Sequence, residues 1–232
     1  YTRIASLFQP EQLVKYGELC LRENEIAYAD PGFFRLFDFE LLKGDRASCL
    51  SMPGQVVITE RIAHKYFRDE EPMGKILVFN SNIGKVSCEV TGVMKEMPSN
   101  SHIHYNFLLS YKSLPKWVQE YWYKHETYTY VLLDSRERKE EIERAFPGMA
   151  EKYKTEEALK NKTWGVRLVP LEDIHLTPQL GYEAEQKGNR SAIIALVFAA
   201  VAILVIAWIN YINLTVARSM ERAKEVGVRR VV

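Results

Sequence analysis

Cysteine is scarce in this chain, with three among 232 residues: Cys20, Cys49 and Cys88. They are too few and too widely spaced for a disulfide framework or a thiolate zinc site. One disulfide plus a leftover thiol is open, as are three free, buried thiols; the second is preferred, since free cysteine packs as a small apolar side chain. An excess of one charge is also missing. The 31 Lys and Arg nearly balance the 30 Asp and Glu, with both signs mixed along the chain. That excludes a basic stripe for nucleic acid and an acidic solvating tail. There is no Gly-rich phosphate loop: Met73-Gly-Lys75 resembles the end of one, yet Asp69 stands where the first glycine belongs and Ile76 replaces Ser or Thr. No Gly-x-Ser-x-Gly elbow occurs, and Ser, His and Asp are scattered without the spacing of a triad. The opening Tyr1-Thr-Arg-Ile-Ala-Ser-Leu-Phe8 lacks the basic head and long apolar stretch of a signal peptide. Internal repeats and low-complexity tracts are absent too.

What the chain does have is one long apolar run, Ala192 to Ile209, eighteen residues without a charge, Pro or Gly. As a helix it reaches roughly 27 Å at about 1.5 Å per residue, close to the roughly 30 Å hydrocarbon core of a bilayer. A core helix of a soluble protein is rarely apolar on every face. The run is therefore read as a transmembrane helix over 189–217. After it come Arg218, Arg222, Lys224, Arg229 and Arg230 against Glu221 and Glu225, a net of +3, whereas residues 1–190 carry a net of −2. Clustered Lys and Arg beside a span mark the cytoplasmic face, and Trp208 and Tyr211 suit an aromatic belt there. Residues 1–188 are then extracytoplasmic and 218–232 cytoplasmic. An exported domain needs a leader or an earlier span. The expectation is a piece of a longer chain.

The first 188 residues are long enough for one large domain or two small lobes. Asp30-Pro-Gly-Phe reads as a helix start, with Asp30 as N-cap and Pro31 in the first turn. Phe33, Phe34, Phe37 and Phe39 would lay a greasy face on a sheet. Gln55–Thr59 is a buried strand and Glu60–Phe67 an amphipathic helix. Lys75–Phe79, an Asn82–Lys85 turn and Val86–Val93 form a hairpin, and His104–Leu109 returns to strand alternation. Leu114–Tyr123 is helical and Tyr128–Leu133 a strand by its β-branched and aromatic content. Ser135–Phe146 is a charged helix broken by Pro147-Gly148, with a second polar helix over 150–160. Val166–Val169 is a strand and 171–181 irregular. Helices and strands mix without strict alternation, so the fold class is α+β, a two-lobed extracytoplasmic domain followed by one long transmembrane helix.

Few residues offer chemistry. His102 and His104 place two imidazoles on one side of a strand, a spacing that suits a metal, although a loop-to-strand transition explains them more simply. Trp117, Tyr121, Trp122, Tyr123, Tyr128 and Tyr130 crowd one stretch, either as ordinary packing or as a half-wet contact surface. The end of the chain is more specific. Continued past the bilayer, the helix places Arg218, Arg222 and Glu225 on one face, with Gly227 as its stop. A pure lipid anchor gains nothing from the interleaved Glu221 and Glu225, so a protein docking surface accounts for the mixed charge better.

At this segment, Arg222-Ala-Lys-Glu-Val-Gly-Val-Arg-Arg230, the chain resembles the FtsX-like permeases of MacB-type ABC transporters. The resemblance extends back through Ala29-Asp-Pro-Gly-Phe-Phe-Arg-Leu-Phe-Asp-Phe-Glu-Leu-Leu-Lys-Gly-Asp45, Val57-Ile-Thr-Glu60, Tyr66-Phe-Arg-Asp-Glu-Glu-Pro-Met-Gly-Lys75 and Val90-Thr-Gly-Val93. It covers residues 29–232 and implies a periplasmic core domain, with a variable lobe within 100–165, set between the first two of four membrane helices. It implies an inner-membrane permease subunit without catalysis or cofactor of its own. The expected partners are an ABC ATPase, fused or separate, that holds the ATP, and a second permease subunit in a homodimer. Glu221, Arg222, Lys224, Glu225 and Arg229 are the candidate coupling residues. The rival reading is a membrane-anchored sensor whose outer domain binds a ligand.

Overall fold

The computed structural model describes residues 1–6, 11–120, 127–153, 161–176 and 190–229, and for 153, 175–176, 190, 221 and 225–229 the backbone alone. Contacts divide the chain into two compact units, one formed mainly by Tyr1–Val169 and the other containing the long C-terminal helix.

The first unit is organised by a ten-stranded mixed sheet. Its strands in chain order are β1 (Thr2–Ala5), β2 (Glu11–Tyr16), β3 (Leu19–Asn24), β4 (Ile26–Ala29), β5 (Leu41–Gly44), β6 (Gln55–Thr59), β7 (Ile76–Ser81), β8 (Gly84–Met94), β9 (Phe107–Ser110) and β10 (Thr127–Tyr130). In space they run β10-β1-β4-β9-β6-β8-β7-β2-β3, with β5 laid on β8. Two pairings are parallel, β4 with β9 and β6 with β8.

The central strands explain the core. Successive strand residues point to opposite faces, and in β4 the residues Ile26 and Tyr28 enter one apolar cluster while Ala27 and Ala29 enter another. Val56 and Ile58 against Val57, and Phe107 and Leu109 against Leu108, repeat that division. Both faces are therefore covered here, which is why these strands read as unbroken apolar runs. On the first face lies α2 (Glu60–Phe67), started by the Thr59 hydroxyl, which accepts the Ile62 N–H, and buried through Ile62, Tyr66 and Phe67. On the second lies α1 (Phe33–Leu36) with Phe33, Phe34 and Phe37 buried, as the aromatic spacing predicted.

Two glycines far apart in sequence meet in this layer. Gly44 of β5 is the register partner of Gly92 of β8. A Cβ on Gly92 would stand 3.1 Å from Val57 Cγ2 and 3.2 Å from the Lys43 carbonyl oxygen, and Gly44 itself holds φ of +97°. Only glycine permits this approach of backbone to backbone.

The remaining helices are α3 (Lys116–Glu120), α4 (Glu137–Tyr153) and α5 (Arg190–Arg229), and Leu171–Leu176 forms a 3-10 turn. Several expectations are corrected. Asp30 does not cap α1; Gly32 holds that position, because the Asp30 carboxylate is committed to Arg3. Pro147-Gly148 does not end α4, which continues to Tyr153 with Pro147 inside it. The proline forfeits a single main-chain bond, to the Glu143 carbonyl, and strong helix formers surround it. The separate helix over 150–160 is thus in part the end of α4, and its remainder lies outside the described residues. Residues 166–169 form no strand; the Leu168 N–H donates to the Glu143 carboxylate at 2.7 Å instead of to a neighbouring strand. The last strand stops at Tyr130 because its partner β1 begins at Thr2, opposite it. Gly227 does not stop α5, which runs forty residues. One interior glycine costs about 1 kcal/mol relative to alanine, and a helix of this length absorbs it.

Candidate functional site

The coupling residues suggested by sequence all fall on α5. This helix holds the apolar run and the basic segment without interruption. Every residue from Ser191 to Met220 is exposed, among them Leu196, Phe198, Leu204 and Trp208 at about 70%. Hydroxyls in its polar half fold back onto the helix: Thr215 donates to the Tyr211 carbonyl and Ser219 to the Thr215 carbonyl, each at 2.8 Å. That disposal of polar hydrogens suits a helix in an apolar medium. Arg222 and Lys224 project from its surface as exposed cations. The backbone of Glu221, Glu225 and Arg229 lies on the same helix; their side chains, and Arg230, lie outside the described residues. The structure thus puts the five on one rod.

In the sheet domain, the histidine pair is engaged locally. His102 Nε2 lies 3.1 Å from the Tyr130 hydroxyl and His104 Nε2 lies 3.1 Å from the Pro98 carbonyl oxygen. No group of three His, Cys, Asp or Glu gathers into a metal-like cluster among the described residues. All three cysteines are free, and Cys20 is exposed where a buried thiol was expected. Cys49 and Cys88 lie in clusters on opposite faces of the sheet, which keeps them apart. Of the aromatic stretch, Trp117 is half exposed, whereas residues 121–123 lie outside the described residues.

Three polar clusters escaped sequence reading. At the first strand, Arg3 donates Nε and Nη2 to the two Asp30 oxygens at 2.8 and 3.1 Å, and its guanidinium sits 4.1 Å over the Tyr111 ring. The bond to Asp30 raises the Arg3 pKa further, so the guanidinium keeps its charge. Under α2, the buried Glu23 accepts the Tyr66 hydroxyl at 2.8 Å and pairs with Lys65 at 2.7 Å. Near the start of β9, Asn106 donates to Glu25 at 2.7 Å and accepts from Arg61 at 2.6 Å. Each cluster ties together strands and helices distant in sequence, and no local motif announces such a link. They satisfy buried polar groups, as folding requires, and none presents a nucleophile beside a base.

The motif pieces that carry the resemblance serve the same architectural end. Besides the Gly44–Gly92 approach, the Gly74 N–H donates to the Val90 carbonyl at 2.9 Å and the Val90 N–H to the Lys75 carbonyl at 2.8 Å. The model of the MacB-like periplasmic core domain family matches residues 2–148. The chain belongs to this family. The match begins well before residue 29, where the resemblance read from sequence began, because β1 to β4 are part of the domain. Among solved structures, a domain assigned to a permease protein from Porphyromonas gingivalis superposes with a TM-score of 0.53 at 22% identity, over 68% of this chain and 71% of that one. The periplasmic region of MacB from Actinobacillus actinomycetemcomitans gives 0.45 at 15% identity, over 65% and 66%. The extracellular domain of the ABC-type transporter YknZ from Gram-positive bacteria gives 0.44 at 16%, over 67% and 78%. No curated protein matches. The MacB-like core domain is thus joined, in this chain, to one helix long and apolar enough to cross a membrane.

Proposed function

We propose that this chain is part of a permease subunit of a MacB/FtsX-type ABC transporter, one that passes motion from a cytoplasmic ATPase to an extracytoplasmic domain. The observation that carries the reading is the continuity of α5: one unbroken helix bears both the apolar span and the mixed-charge segment. A helix transmits displacement along its axis because every turn is bonded to the next. Residues 1–188, with a variable lobe within 100–165, are assigned to the periplasmic side of the inner membrane, and 218–232 to the cytoplasm. Substrate or partner handling belongs to the outer domain, and ATP to a separate or fused ATPase. The working unit is a dimer of permease subunits.

Glu221, Arg222, Lys224, Glu225 and Arg229 are assigned to the ATPase contact. Charged groups of both signs at a protein interface fix register and partner choice. The test is the double variant Arg222→Ala, Glu225→Ala in the full-length protein reconstituted with its ATPase. Stimulated ATP hydrolysis should drop to the basal rate of the ATPase alone, with the outer domain still folded by circular dichroism. Stimulation at the wild-type level would remove these residues from the coupling role.

A further inference from the structure

Two surfaces are left without a complement inside their own unit. The apolar layer on the second face of the sheet takes strand residues from β1, β4, β6 and β9, with Met94 at the end of β8, and none from β2, β3 or β7, so that half of the sheet is open there. The other surface is α5, and its faces differ from one another.

The charges nearest the span are Arg190 and Arg218, twenty-eight positions apart. At about 1.5 Å per residue that is roughly 42 Å, against about 40–45 Å for a bilayer with its headgroups. Asn210 stands eight positions inside Arg218, about 12 Å, and Asn213 five positions, about 7.5 Å. The headgroup layer takes roughly 5–7 Å on each side. Asn210 therefore lies in hydrocarbon and Asn213 at its margin. The nearby hydroxyls of Thr215 and Ser219 are satisfied by carbonyls of their own helix. The two amides are not: both residues are exposed on α5, and neither side chain has a hydrogen-bond partner among the described residues. An unpaired amide in hydrocarbon is costly, so a partner must bring donors and acceptors to this depth.

We infer that α5 packs in parallel against α5 of a second copy of this chain, through the face that carries Asn210 and Asn213. At about 100° per residue, Ala199, Ala202, Ile206, Asn210, Asn213 and Ala217 fall within roughly 80° of the helix surface. Leu204, Trp208, Tyr211 and Thr215 stand on the far side. Two copies inserted the same way hold identical residues at identical depth. A primary amide donates and accepts at once, so Asn210 finds its complement in Asn210 of the second copy, and Asn213 likewise. An unrelated helix meets that demand only with polar side chains of its own at both levels. The alanines beside the amides let the two backbones approach. The inference rests on the reading that α5 crosses the membrane, and it gives the permease dimer proposed above a specific contact.

For the test, the 232-residue chain with Cys20→Ser is reconstituted at low density in phosphatidylcholine vesicles, Cys49 and Cys88 remaining buried. It carries in addition either Ala199→Cys or, on the far side, Leu204→Cys. Copper phenanthroline with dissolved oxygen then oxidises paired thiols to disulfides, read as dimer on non-reducing gels. The Ala199→Cys chain should cross-link and the Leu204→Cys chain should not. Adding Asn210→Leu with Asn213→Leu should slow the Ala199→Cys cross-link about tenfold. Vesicle flotation separates two kinds of failure. A chain that floats but cross-links from neither face, or equally from both, overturns the inference, as does an unchanged rate in the double asparagine variant. A chain that does not float overturns the membrane reading of α5, and the inference falls with it.

Discussion

The strands β4, β6 and β9 and the helix α5 are the most apolar stretches of the chain, and they dispose of their apolar surface in opposite ways. Val56, Val57, Ile58, Phe107, Leu108 and Leu109 are all fully buried. Along α5 the exposure of Leu196, Phe198 and Leu204 is 68% or more, and each stands on a helix that is exposed from Ser191 to Met220. In the sheet, hydrophobic surface finds its complement within the same unit. In the helix, it needs an apolar complement from outside, such as lipid. Sequence hydrophobicity alone does not distinguish these fates; length without a polar face does.

The sharpest way to break the contrast is to charge the helix. Val201→Arg with Leu204→Arg places two guanidinium groups near the middle of the apolar run. At about 2.5–3.5 kcal/mol each for insertion, the pair should release most of the 232-residue chain, expressed by itself, from membranes on alkaline extraction. Retention at the wild-type level would mean that α5 is not the anchor. The next largest effect belongs to the sheet. Phe107 meets Phe79 and Tyr66 edge-on, with ring centroids 5.6 and 6.4 Å away, and has no exposed surface. Phe107→Ala should cost about 3–5 kcal/mol of domain stability in chemical denaturation, without affecting membrane retention. Together the two variants separate what holds the domain folded from what holds the chain in place.

The sequence was legible where chemistry and position agree locally. The β6–α2 unit follows from Gln55–Thr59 and the Thr59 cap, and the β7–β8 hairpin from its alternation around Asn82–Lys85. The first thirty residues hid their strands for a physical reason. In β2 the polar Gln12 is buried and the apolar Leu13 lies 44% exposed, so the pattern on which strand reading depends is inverted. A signal was nevertheless there: Tyr16-Gly-Glu-Leu19 is a two-residue hairpin turn with Gly17 at φ +55°, which joins β2 and β3. Asp30 misled because its strong preference for helix starts lost to a two-bond contact with Arg3, 27 residues away. Of the candidate site, the placement of the coupling residues on one helix was readable, whereas the Arg3–Asp30, Glu23–Tyr66 and Asn106–Glu25 contacts were not. They arise from strand register and from the packing of α2, and neither property has a local sequence mark.

The smallest expected effect concerns the thiols, and it tests the same division between covered and uncovered sheet. Burial raises the Cys49 pKa from 9.0 to about 11 and the Cys88 pKa from 9.0 to about 12. Cys20, on the uncovered face of edge strand β3, is exposed. Iodoacetamide at neutral pH should therefore modify Cys20 alone in the folded protein and all three residues after denaturation, as mass spectrometry of the digested chain would show. The buried pair also sets the sign of an alkaline effect. Their protons are kept in the folded state and lost by the unfolded chain above pH 9, so stability should fall as pH climbs from there through the folded-state values. Cys49→Ala with Cys88→Ala removes both groups and should flatten that decline while lowering stability at neutral pH through the lost packing. A decline that persists unchanged would assign it to the buried tyrosines Tyr28, Tyr66 and Tyr105, whose pKa values burial also raises. Either result measures how thoroughly the two covering layers exclude water, which is the property the open half of the sheet lacks.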